Sequence, residues 1–354
     1  MTKDLKTDNI DYQFKDIDQS ADIRKKDHIQ LAMRSQINSA LQDKRFYYEP
    51  LFAAHPSSKK STFEFLGKPL QNPLWISSMT GGTAIANTIN KNLAKAAKEF
   101  GIGMGLGSCR SLLSNDTYFE DFNLRPLIGD NLPLYANLGI AQIEALLMNK
   151  EAYRIQQLVD KLQADGLIIH VNPVQEWLQP EGDKFTRPAI NTIMDLMSIL
   201  PNLKYIVKEV GQGIGPQSLE ALLRLPLEAI DFAAHGGTNF AKIELLRQEG
   251  NMHPGYEEIP FLGHSAEEMV NFTNAIVEKL KNENALSCSQ IIISGGIRNF
   301  LDGFFLRNKL SLPSIYGQAS AFLTHAQKGY EDLVVFIDSQ IKGLEFAEAF
   351  LKIR

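Results

Sequence analysis

In one short stretch the chain gathers an imidazole, two carboxamides and a carboxylate: His170, Asn172, Gln175 and Glu176. The apolar residues Leu167, Ile168 and Ile169 precede them, and Pro173 stops that run from continuing as a central ladder strand. A buried strand that empties mixed polar groups at its carboxyl end marks a ligand site in parallel α/β proteins. A polar loop without function is the plain alternative, but such a loop has no need of these four groups together. Metal binding, proton transfer and anion recognition are the chemistries open to them.

Elements of one repeating kind must position this stretch. Short apolar runs fall at residues 74–78, 102–106, 134–138, 166–170, 205–209, 229–232, 290–294 and 313–317. Amphipathic helical stretches separate most of them, at 85–100, 155–164, 189–200, 218–225 and 266–281. Eight strand–helix units predict an α/β fold, a closed (β/α)8 TIM barrel, over an open doubly wound sheet. The gaps between the second and third runs and from 240 to 265 call for extra elements or lids. Ile23, Ile29, Met33, Ile37 and Leu41 recur at near-helical spacing, so 21–41 is expected to be helical. The first 20 residues are polar. The expected organisation is an N-terminal helical extension over 1–60, partly mobile and contributing substrate-binding residues, and a barrel over 61–354.

A barrel brings the loops after its strands to one face, so their contents form one list. Ser78, Met79, Thr80, Gly81, Gly82 and Thr83 follow the first run; they suit close approach of a flat or phosphorylated ligand, or a tight turn. Ser108, Cys109 and Arg110 follow the second, and the arginine suits a phosphate, a carboxylate or a structural ion pair. Asn137 ends the third, able to bond a heterocycle edge or to make a local turn. Lys208 lies inside an apolar run and needs a partner there, either a bound electron-rich group or Glu209. Asp231, His235, Gly237 and Thr238 belong to the sixth strand and its loop. Gly295, Gly296 and Arg298 follow the seventh, and Ala319 and Ser320 the eighth. Glycines and small residues there are the usual phosphate cradle of barrels. Arg24, Lys25 and His28 stand apart, as a solvated helix start or as a clamp for a second anionic group.

Composition removes several function classes. Lys and Arg total 36 against 41 Asp and Glu, a net charge of −5, which gives no basic excess for nucleic acid or an acidic membrane. No apolar leader or membrane-length run is present, which predicts a cytoplasmic protein. Two cysteines and seven histidines show no disulfide framework or zinc spacing.

Taken together, these loops resemble the flavin-dependent type 2 isopentenyl-diphosphate isomerases. The likeness runs from Arg24 to about Ser320. It rests on Arg24-Lys25-x-x-His28, Met79-Thr80-Gly81-Gly82-Thr83, Gly107-Ser108-x-Arg110, His170-x-Asn172-x-x-Gln175-Glu176 with Glu181-Gly182-Asp183, Lys208-Glu209-x-Gly211, Gly237-Thr238 and Gly295-Gly296-Ile297-Arg298. The resemblance implies FMN at the carboxyl-terminal face, active when reduced, with Mg²⁺ and NADPH as reductant. It implies interconversion of isopentenyl diphosphate and dimethylallyl diphosphate without net redox change, and assembly as a tetramer or octamer. Carried over by position, Ser78, Met79, Thr80, Gly81, Ser108, Asn137, Lys208 and Thr238 would contact FMN. Gly295, Gly296, Arg298, Ala319 and Ser320 would hold its phosphate region. Arg24, Lys25, His28, Arg110, His170 and Gln175 would bind substrate, with His170 and Gln175 nearest the chemistry, and Glu176 would hold the metal.

Two places depart from that pattern: Cys109, where Gln or Met is commoner, and Asn239-Phe240, where Ser-Trp is common. The rival readings are a flavin-dependent 2-hydroxy-acid oxidase, with His235 as its base, and a non-catalytic binder of a phosphorylated ligand. Stoichiometry separates the first, since an oxidase consumes its substrate with net two-electron transfer; the polar set from His170 to Glu176 argues against the second, because a mere binder need not assemble a metal ligand. No side chain among these is suited to protonate an alkene, so proton transfer is expected from reduced flavin.

Overall fold

The computed structural model describes residues 21–56, 62–77, 81, 84–247 and 255–354. They fall into two compact units, Met1–Phe46 and Tyr47–Arg354. In the first, a helix covers Ala21–Leu31 and a single 3-10 turn covers Ser39–Leu41. The helix expected to reach residue 41 therefore ends ten residues early. Short polar side chains compete with the ladder there: Ser35 Oγ donates to the Ala32 carbonyl (3.0 Å), and Asn38 Oδ1 accepts from the Ala40 amide (2.8 Å).

The second unit is a closed parallel barrel of eight strands: β1 (Leu74–Ile76), β2 (Gly103–Gly105), β3 (Leu134–Gly139), β4 (Gly166–His170), β5 (Tyr205–Lys208), β6 (Ala229–Asp231), β7 (Ile291–Ser294) and β8 (Ser314–Gln318). Runs such as Ile291, Ile292 and Ile293 are buried on both faces, as strands covered by helices must be. β8 closes on β1 with Tyr316 opposite Leu74. The register sets Gly139 opposite His170, His170 opposite Lys208 and Lys208 opposite Asp231. Three titratable residues on three neighbouring strands thus share one level.

The five expected helices are present at Ala84–Phe100, Tyr153–Lys161, Ala189–Ile199, Pro216–Leu223 and Ala266–Asn282. Ile140–Met148 is a further one, apolar almost throughout and so without a two-sided pattern. The long gap after β2 is filled by the short turns Arg110–Leu113, Phe119–Phe122 and Arg125–Ile128, and the gap after β6 by Phe240–Arg247 and Tyr256–Phe261. Among the described residues no helix is long and apolar enough to cross a membrane.

The amino-terminal end of the barrel is built for stability. An antiparallel hairpin, Phe63–Phe65 with Lys68–Leu70, turns through Leu66 (φ 54°) and Gly67 (φ 69°). Buried Leu66 donates its amide to Gln290 Oε1 (2.8 Å), just ahead of β7. Asp165, just ahead of β4, takes Lys68 on one oxygen (2.5 Å) and buried Arg125 on the other (2.9 Å). Arg125 also donates to the carbonyls of Gln163, Gly129 and Leu132 (2.7–3.0 Å), so its charge is paired and its donors are used.

Candidate active site

The carboxyl-terminal mouth has two halves that share Lys208. The first is a cleft at the ends of β1 and β5 to β8. Its floor is made of small residues. Gly295 is held at φ +87°, and a Cβ there would lie 2.1 Å from the Ala234 carbonyl oxygen. A Cβ on Gly237 would press on the Gly296 nitrogen at 3.1 Å. Backbone thus forms the cradle, with no side chain in the way of a phosphorylated ligand. Ala319, Ser320 and Ala321 line the same cleft, and helix Ser320–Lys328 begins there without a side-chain cap. The helix after β7 does not open on its glycines. It starts only at Phe300, and its own Asn299 caps the Leu301 and Asp302 amides (3.0 and 3.2 Å). The glycine loop ahead of it, rather than its terminus, faces the cleft.

Polar atoms of the lining await partners. Ser77 Oγ and Gln318 Oε1 are buried and have no hydrogen-bond partner among the described residues. Gln318 Nε2 donates to the Ile297 carbonyl (3.0 Å), which fixes Oε1 as a waiting acceptor. Lys208 Nζ donates to the backbone oxygen of Glu209 (2.7 Å), so the Glu209 carboxylate, the simpler partner expected for it, is not its hydrogen-bond acceptor. Glu209 Oε2 instead gathers the amides of Gly211, Gln212 and Gly213 (2.6, 2.6 and 3.1 Å). Asp231, beside Lys208 and fully buried, takes the Ser294 hydroxyl. Burial pushes its carboxyl up, against the pull of Lys208 and Ser294.

The second half is the polar cluster after β4. Pro173 is the first residue of helix Pro173–Leu178, so the strand stops and its polar residues wind onto one turn. Asn172 Nδ2 donates to Gln175 Oε1 (3.0 Å) and Glu176 Oε1 (2.9 Å). This orients the carboxamide and leaves Asn172 Oδ1 buried and unpartnered among the described residues. Glu176 Oε2 accepts the Asp183 amide (2.6 Å). Gln175 Nε2 reaches Glu244 Oε1 (3.2 Å). Arg110 pairs with Asp183 Oδ2 (2.6 Å), which also accepts from Gln142 Nε2 (2.9 Å). A Cβ on Gly139 would meet both Gln142 Oε1 (2.2 Å) and His170 Nε2 (2.8 Å), so these two side chains converge over the end of β3.

His170 is neutral. Burial, and then the Lys208 charge, pull its pKa down from 6.5 to about 3. Its Nδ1 lies 2.7 Å from Asn137 Oδ1, while Asn137 Nδ2 donates to the Leu106 carbonyl (3.0 Å). The proton of the neutral ring is therefore on Nδ1, and Nε2 is an acceptor. The ring is not the ready-made cation that anion binding would want.

The structure brings together in these two halves Arg110, Asn137, His170, Gln175, Glu176, Lys208, Thr238, Gly295, Gly296, Ala319 and Ser320. Ser108 is exposed after β2, and Gly81 packs against Phe122. Ser78, Met79, Thr80, Gly82 and Thr83 lie outside the described residues. Arg24, Lys25 and His28 lie exposed on helix Ala21–Leu31 of the first unit. The Arg298 side chain is 82% exposed, with its Nε 3.3 Å from Asp302 Oδ2. Ser77, Gln142, Asp183, Glu244 and Gln318 join the site without having been expected there. A lone Ser or Gln at a strand end carries no signal, although Asp183 belongs to one of the motifs behind the resemblance. Cys109 is buried, and burial pushes its thiol up to about 12, so that departure adds no nucleophile. Asn239 is structural, since its Oδ1 accepts the Lys242 amide (2.9 Å) and its Nδ2 donates to the Pro260 carbonyl (2.9 Å). His235 Nε2 donates to that same carbonyl (3.1 Å).

The closed parallel barrel is a fold that solved flavin-containing proteins share. A mandelate oxidase variant with an FMN adduct superposes at TM-score 0.52, 12% identity, over 88% of this chain and 89% of the other. A flavocytochrome b2 variant with sulfite does so at 0.56, 13% identity, over 86% and 72%. At such identity the likeness is one of fold. Sequence decides the family. The isopentenyl-diphosphate delta-isomerase of Rickettsia prowazekii is 35% identical over 292 residues, 81% of each chain. That of Rickettsia felis is 34% identical over 331 residues, 92% of this chain and 88% of its own. No protein-family profile matches. The chain belongs to the isopentenyl-diphosphate delta-isomerase family.

Proposed function

We propose that the protein interconverts isopentenyl diphosphate and dimethylallyl diphosphate, with FMN in the glycine-floored cleft and Mg²⁺ at Glu176. The observation that carries this is the shared wall: Lys208 lines the cleft and also stands beside His170 of the polar cluster. A cofactor on one side and a diphosphate on the other would therefore adjoin.

The residues fit both groups. A side-chain-free cradle, an uncapped helix start and waiting oxygens at Ser77 and Gln318 suit a phosphorylated heterocycle. Asn172 Oδ1 beside the Glu176 carboxylate offers two hard oxygen ligands. Mg²⁺ characteristically takes one or two protein oxygens and completes its shell with phosphate and water.

Reduced FMN, once primed by NADPH, would supply an electron-rich ring with exchangeable protons where a hydrocarbon alkene needs an acid and a base. The protein positions. Lys208 sets a positive charge at the cleft wall, and Arg110 offers the diphosphate its guanidinium. Glu176 is held rigidly by the Asn172 amide and the Asp183 N–H. His170, a neutral ring, would stand on the substrate side of the site, with Nε2 as its acceptor. Anchoring the polar end would hold the short tail in place and lower the entropic part of the barrier.

The test is an anaerobic incubation of the protein with isopentenyl diphosphate, FMN, Mg²⁺ and NADPH. Dimethylallyl diphosphate should accumulate with only catalytic NADPH loss. Equimolar NADPH consumption, or no product, overturns the proposal.

A further inference from the structure

Asp183 is tied to the site three times. Its carboxylate accepts from Arg110 (2.6 Å) and Gln142 (2.9 Å), and its amide donates to Glu176 (2.6 Å). The chain reaches that position by folding tightly over the end of helix Pro173–Leu178. The Gly182 amide bonds the Gln179 carbonyl (2.9 Å), and a Cβ on Gly182 would lie 2.1 Å from the Glu176 carbonyl oxygen. The loop thus presents a carboxylate to the guanidinium that the proposed function assigns to the substrate. Both partners are partly open to solvent, Arg110 at 58% and Asp183 at 39%, so an incoming anion can compete for the arginine.

We propose that Asp183 is a positioning residue that stands in for the diphosphate: it holds Arg110 aimed at the mouth in the free enzyme and yields it when the substrate binds. The inference rests on Arg110 being a diphosphate ligand. Its consequence is a tuned affinity. Arg110 is kept extended and ordered, at the cost of a competing anion that the substrate must displace. Gln142 gives the released carboxylate a second partner, so Asp183 is not left without one.

The experiment measures binding of inorganic pyrophosphate with Mg²⁺ to the FMN-loaded full chain by calorimetry, for wild type, Asp183→Asn, Arg110→Gln and the double variant. Asp183→Asn keeps the amide that holds Glu176 and removes the competing charge. An exposed ion pair is worth up to a factor of about five, so pyrophosphate should bind roughly two- to fivefold tighter. In the Arg110→Gln background the same substitution should change nothing. A gain that persists there is a general charge effect and overturns the proposal, as does weaker or unchanged binding by Asp183→Asn alone. If Asp183→Asn does not fold, Gln142→Leu, which takes away the second partner of the released carboxylate and leaves both charges, should weaken binding by making Asp183 hold Arg110 harder; unchanged or tighter binding overturns the proposal. Undiminished binding by Arg110→Gln rejects the diphosphate assignment itself, a failure separate from that of Asp183.

Discussion

Lowering the pH should destabilise this protein through a single ring. His170 has a folded pKa of about 3 against an ordinary 6.5. Between those values the unfolded chain binds a proton that the folded chain refuses. The contribution is nil above about pH 6.5 and grows as pH falls, by up to about 1.4 kcal/mol per pH unit. At about pH 5 the loss is about 2 kcal/mol, and any folded value below about 4 gives the same figure. The assay is urea unfolding of wild type and His170→Gln at about pH 7.5 and about pH 5, with each protein compared against itself. The variant forfeits the Asn137 contact at both pH values, so that offset cancels. Its stability should fall by about 2 kcal/mol less than that of wild type. Parallel losses, within about 0.5 kcal/mol, refute the reasoning, and so does an imidazole resonance titrating near its ordinary value.

Three further perturbations separate the parts of the site. Glu176→Gln sets an amide where the Asp183 N–H and a cation expect an anion; activity should fall at least about 100-fold with FMN absorbance retained, and normal turnover would falsify the metal assignment. Gly237→Ala crowds the cradle by one methyl against Gly296; FMN affinity should drop about tenfold with the melting temperature little changed, and unaltered affinity would place the flavin elsewhere. Asp165→Asn strands the buried Arg125 charge at the far end of the barrel; it should cost about 3 kcal/mol in denaturant unfolding, while an altered KM would contradict the separation of the two ends.

Much of this is legible in the chain because barrel periodicity and chemically costly residues leave marks. Lys208 could not sit in an apolar run without reason, and His170, Asn172, Gln175 and Glu176 could not crowd a strand end by accident of composition. What escapes are partnerships between distant loops. The Arg110–Asp183 pair joins the loops after β2 and β4, and Gln175 meets Glu244 from the loop after β6. No local pattern encodes either. Lys208 shows a subtler limit: the need for a partner is readable, but a backbone oxygen, which every residue has, supplies it. The helix over 21–41 stops short because apolar spacing carries no trace of the Ser35 and Asn38 side chains that compete for its backbone.

The hairpin at the amino-terminal end of the barrel sets a timetable for the chain's birth. Its Leu66 amide waits for Gln290, 224 positions later, and β1 waits for β8. At about 5–20 residues per second the ribosome needs roughly 10–45 s to deliver that partner. Until then Phe65, Leu66 and Leu70, all buried in the finished protein, have no finished barrel to enter. The nascent chain therefore passes through a long interval with a sticky leading segment, and its yield should depend on translation speed and on chaperones that cover such segments.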